Sequence, residues 1–162
     1  MVEPRAQGLW VILLSFMVAL WLSVLPMPHW LQWARPEWVT LVLIYWVIAL
    51  PSRVGMTVAF IVGLVLDVLE GAILGQHALA LVVVAYVSTL LHQRLRMFVV
   101  WQQAAMVFVL VGINQLVVQW VHSLGTLGDR SMTFLLPALV SALLWPWIFS
   151  SLRHLRRQYR VQ

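Results

Sequence analysis

Asp67 and Glu70 stand three residues apart in the run GMTVAFIVGLVLDVLEGAILG, Gly55 to Gly75. That spacing lets two carboxyls share a helix face, as a proton relay or a general acid–base pair would need. A hydrolase would also need a nucleophile or a bound water with an orienting partner, and the sequence supplies neither beside them. Five histidines, at 29, 77, 92, 122 and 154, are scattered along the chain. No two have the i, i+3 or i, i+4 spacing of a helical metal site, and no acid clusters with them in sequence. With no cysteine there is no thiolate, no disulfide and no sulfur ligand. The expectation is a chain with no catalytic residue, no metal and no cofactor.

The acid has a second meaning. Taking every fourth residue from Gly55 gives Ala59, Gly63, Asp67, Gly71 and Gly75, small residues around one carboxylate. Each step of four drifts by about 40°, so Ala59, Gly63 and Asp67 form a narrow strip on one helix face. In lipid such a strip admits another backbone closely. A carboxylate near the bilayer centre costs about 2.5–3.5 kcal/mol, so it faces protein or water. An interfacial Asp67 beside Glu70, merely solvated, is the plainer alternative. Ala59, Gly63, Asp67, Glu70 and Gly71 are therefore candidate packing or partner contacts, facing another helix of this chain or a partner's membrane segment.

The elements that position these residues follow from composition. Of 162 residues 63% are hydrophobic and 9% charged, and the mean hydropathy is +0.95. A soluble domain is nearer one quarter charged, so this is an integral membrane protein. Apolar runs predict six membrane helices, about 9–25, 36–50, 54–74, 77–91, 101–121 and 134–152, in one all-α polytopic domain. The first is too long for a signal-peptide core and lacks a small-x-small cleavage site at Pro26-Met27-Pro28. The second has about 15 residues, roughly 22 Å, short for a hydrocarbon core of about 30 Å. His92 to Arg96 reads as a basic turn and Ser123 to Arg130 as a second turn. Asn114, Gln115 and Gln119 should seek partners on other helices, and Pro146 should kink the sixth helix.

All ten basic residues are arginine, and five acids leave a net charge of +5. With six spans and the N-terminus inside, Arg5, Arg53, Arg94, Arg96, Arg153, Arg156, Arg157 and Arg160 are cytoplasmic, whereas Arg35 and Arg130 are outside. A five-span model with a re-entrant second segment scores equally; an arginine ahead of the first apolar run favours six. No nucleic-acid motif accompanies the basic residues. Arg153, Arg156, Arg157 and Arg160 are read as a topology lock and a contact for anionic lipid, with a protein dock as the alternative. Tryptophans cluster at span ends, where they anchor in the headgroup region.

Five stretches carry a family likeness: RPEW (Arg35 to Trp38), YWVIALPSRVG (Tyr45 to Gly55), GLVLDVLEGAILG (Gly63 to Gly75), WQQA (Trp101 to Ala104) and LWPWIF (Leu144 to Phe149). In this order they resemble the rod shape-determining MreD family of Gram-negative bacteria. The resemblance implies a small inner-membrane subunit of the cell-elongation machinery with no established catalytic residues. It implies direct association with MreC, a single-pass protein with a large periplasmic part. Through MreC it implies links to MreB filaments, RodA and the elongation penicillin-binding protein. It also implies the six-helix fold of the substrate-binding subunits of energy-coupling-factor vitamin transporters. The expected role is a non-catalytic adaptor that helps organise peptidoglycan synthesis, with the outer ends near Arg35, Trp38 and Glu70 meeting a periplasmic partner. A vitamin-like binding subunit of a transporter is the competing function.

Overall fold

A helix apolar on every side is covered on every side, by protein or by lipid, and Trp38–Ala49, WVTLVLIYWVIA, is such a helix. The computed structural model describes residues 8–125 and 135–161. In it the chain forms α1 (Leu9–Val24), α2 (Trp38–Ala49), α3 (Met56–Glu70), α4 (Gln76–Met97), α5 (Val100–Gly125) and α6 (Leu135–Gln158), with a 3-10 turn at Gln32–Ala34. No strand occurs among the described residues. Every residue from Val39 to Ala49 is buried, because α2 is surrounded by α1, α4, α5 and α6. Helix α3 packs on α4, α4 on α5, and α5 on α6. The core is thus a short central helix inside a ring.

At 12 residues α2 is about 18 Å long. Pro36 and Pro51 bracket it, and proline disfavours helical backbone in the residue before it. By length and composition, α4, α5 and α6 are each able to cross a membrane; α1 is apolar but shorter.

Successive helices alternate in direction, giving the bundle two ends. One holds the starts of α1, α3 and α5 and the finishes of α2, α4 and α6. Gly8 lies against Val161 there, and the Trp10 and Tyr159 rings meet edge to face at 4.7 Å. Arg53, Arg94, Arg96, Arg153, Arg156, Arg157 and Arg160 belong to this basic end, and Arg35 to the other. Arg5, Arg130, the turn residues Gly128 and Asp129, and the expected helix start at Phe134 lie outside the described residues.

Several boundaries differ from the sequence reading: α3, expected to reach residue 74, ends at Glu70 because Gly71 turns left-handed, and α2 starts at Trp38 rather than 36. His92 to Arg96 is not a turn but the last part of α4. No glycine or proline interrupts it, and Arg96 is held from α2: its Nε donates to the Ile48 carbonyl at 2.8 Å and its Nη2 to that of Ala49 at 2.7 Å. Ser123 to Gly125 likewise continues α5. Helix α6 runs to Gln158, so Arg153, Arg156 and Arg157 are helical rather than a tail, where cations suit the carbonyl end of the dipole.

Candidate functional site

Asp67 is completely buried near the end of α3. Gly71 and Gly75 follow in left-handed conformation, with φ of 65° and 95°, and reverse the chain into α4. A residue at the start of a helix ordinarily caps it with its own side chain; Gly75 has none. Asp67 supplies the acceptor from the preceding helix. Its Oδ2 accepts from the Gly75 amide at 2.9 Å and the Ala78 amide at 3.4 Å, and its Oδ1 from the His77 amide at 2.8 Å. The His77 ring joins through Nδ1, also 2.8 Å from Oδ1. A carboxylate is well placed at a helix N-terminus, where the peptide dipoles present positive charge. His77 Nε2 reaches toward Glu70 Oε2 at 3.6 Å.

Gly63, one turn earlier, makes this approach possible. A Cβ there would lie 2.3 Å from the Ala78 Cα and 2.6 Å from its N, inside any permitted contact. Ala59, a turn further along the same strip, is also fully buried. At Gly63 and Asp67 the strip is therefore filled by the start of α4. Glu70 and Gly71 lie at its exposed end.

A second polar knot ties α2 to the outer ring at this same end. Glu37 receives a short hydrogen bond from the Gln115 amide group, and its backbone N–H donates to Ser141 Oγ at 3.0 Å. Arg35, Trp38 and Glu70 occupy the same end, on different elements. Asn114 is buried beside Gln115 in sequence, its Oδ1 without a hydrogen-bond partner among the described residues. Histidine spacing along the chain did not pair His77 with carboxylates; the glycine turn does, by folding residue 77 back onto residue 67. Among the described residues no group of three or more His, Asp or Glu could hold a metal ion. Asp67, saturated by its own backbone and closed to solvent, acts as a structural clasp.

Two further features are open. Along the outside, α1 and α6 border an apolar groove of about 500 Å³, floored by Val11, Ser15, Ala19 and Val42 and rimmed by Trp10 and Trp147. Trp38 marks its far end. At the basic end, Arg153, Arg156, Arg157 and Arg160 line a recess of about 380 Å³. Sequence reading singled out these arginines but had no signal for the groove, which exists only where two helices meet.

A family model described as rod shape-determining protein MreD matches residues 4–155. A Haemophilus influenzae protein named rod shape-determining protein MreD is 35% identical over 153 residues, 94% of this chain and 94% of its own length. No solved structure matches the chain.

Proposed function

The chain belongs to the MreD family of rod shape-determining proteins, and from that premise we propose that it is a non-catalytic adaptor of the inner membrane. In this reading all six helices are spans, the basic end is cytoplasmic by the excess of arginine, and the bundle follows the substrate-binding subunits of energy-coupling-factor transporters. Its partner is MreC, and through MreC it helps organise peptidoglycan synthesis alongside RodA, the elongation penicillin-binding protein and MreB.

The observation that carries this reading is the groove between α1 and α6. Its α1 wall uses Trp10, Leu14, Val18 and Leu22, successive positions on one helix face. An open apolar trough of that shape accepts a helix laid lengthwise, as a single-pass partner would offer. The small-residue strip on α3 serves instead to seat α4. Arg35, Trp38 and Glu70, at the outer end, then meet the periplasmic part of MreC.

Filling the trough tests this. Val18→Trp and Trp147→Ala should each lower the MreC recovered with the purified protein by about tenfold, the effect of losing one well-packed anchor. Ile61→Trp, on the exposed face of α3, should leave recovery unchanged. Full recovery with both groove variants removes the groove from the interface. A vitamin-like molecule found by native mass spectrometry in the isolated subunit would favour the transporter reading instead.

A further inference from the structure

The basic end carries seven described arginines and none of the described carboxylates, since Glu37, Asp67 and Glu70 all belong to the opposite end. A concentration of cations of this kind attracts anionic ligands to that end. Two cavities adjoin there. One, of about 340 Å³, lies between α2, α4, α5 and α6 and is lined by Tyr45, Arg96, Gln103, Phe149, Arg153 and Arg156. The other, of about 380 Å³, is lined by Arg153, Arg156, Arg157 and Arg160. Arg153 and Arg156 belong to both.

We infer that these paired cavities bind one anionic phospholipid whose headgroup carries two phosphates bridged by glycerol, as in cardiolipin. One phosphate occupies each cavity, with Arg153 and Arg156 between them. The guanidinium fork matches phosphate oxygens two at a time. Basic pockets between helices at the cytoplasmic headgroup level are where such lipids are held.

The side chains are already positioned. Arg96 is fixed by two bonds to the end of α2, which leaves further N–H groups on its guanidinium. The Arg153 guanidinium sits 5.9 Å over the Phe149 ring. Arg153 and Arg156 share one cavity wall with Tyr45 and Phe149. Gln103 is locked between the Leu95 carbonyl, at 2.8 Å, and the Trp145 indole, at 3.3 Å. Ordering these groups before the ligand arrives lowers the entropy lost on binding. Two adjoining cavities that share Arg153 and Arg156 give room for two phosphates rather than one, and their place at the helix ends favours a lipid over an acidic protein segment.

The inference rests on the membrane reading given above, but not on MreC; lipid binding and MreC recovery are read independently on the same preparation. The test is native mass spectrometry of the full chain in detergent with equimolar cardiolipin and phosphatidylglycerol. Cardiolipin should remain bound where phosphatidylglycerol is lost. Arg153→Gln and Arg156→Gln should each weaken it about fivefold, the effect of one arginine at a lipid surface. Arg94→Gln, which lines neither cavity, should not. Helix content by circular dichroism accompanies each variant, and if Arg156→Gln misfolds, Arg153→Gln and Arg157→Gln carry the measurement. Equal retention of the two lipids, displacement by millimolar inorganic phosphate, or preferential displacement by an acidic peptide would overturn the proposal.

Discussion

Asp67 shows how one side chain does two jobs at a turn. It satisfies three amides that the glycines leave without a cap, and it orients His77. Asp67→Asn retains one acceptor but turns an NH2 group toward backbone donors, losing charge-assisted bonds worth about 1.5–3 kcal/mol. Hydrogen exchange at the amides of Gly75, His77 and Ala78 should quicken accordingly; unchanged protection would refute the clasp. Gly63 is constrained by space rather than by charge. Gly63→Ala gains about 1 kcal/mol of helix propensity, yet its methyl would drive into the Ala78 backbone. Overpacking of this kind costs about 1–3 kcal/mol or more, so the thermal midpoint in detergent should fall, and fall further for Gly63→Leu. A rise would mean that α3 and α4 part freely. The sequence exposed the small-residue strip and the acid; it could not say that residue 77 closes the site, because that depends on the left-handed glycines.

At the scale of elements, α2 is held more by its ends and surroundings than by its length. Trp46, fully buried, donates its indole N–H to Ser15 Oγ at 2.8 Å, binding α2 to α1. Arg96 binds it to α4 by covering the last carbonyls, groups that a helix leaves unpaired. Arg96→Met keeps much of the apolar stem and removes those donors. It should lower stability by about 1 kcal/mol, the usual scale of a cation at a helix C-terminus, measured as a shift of the thermal midpoint. Arg94→Met, exposed on the same turn, should give no shift. Pro36 and Pro51 flank α2 but did not fix its bounds: expected over 36–50, it runs from Trp38 to Ala49, with Pro36 and Glu37 ahead of its first turn. The overrun of α4 and α6 into arginine-rich segments was not legible either, since charge reads as loop until a neighbouring carbonyl or a headgroup accounts for it.

At the scale of the whole molecule, the arginine asymmetry and the alternation of helices make one directional claim. With no native cysteine, single cysteines report side without background. Arg94→Cys should react only with reagent admitted to the cytoplasm, and Trp30→Cys, in the exposed connection after α1, only from outside. Labelling of both from one side would overturn the six-span orientation. The groove runs along the α1–α6 flank, whereas the paired basic cavities open at the helix ends and share none of its lining residues. A helix can engage the first while a lipid fills the second.

What the residues alone determined was the class of object: an apolar, helical chain punctuated by proline and glycine, with cations gathered toward one end. Those properties are local or additive, so they survive without knowledge of which helix touches which. The tertiary structure decided that α2 is the covered centre, that Asp67 addresses its own chain, and that α1 and α6 leave a trough. These depend on contacts between residues ten to more than a hundred positions apart, as from Asp67 to His77 or Glu37 to Ser141, and hydrophobic periodicity carries no record of them.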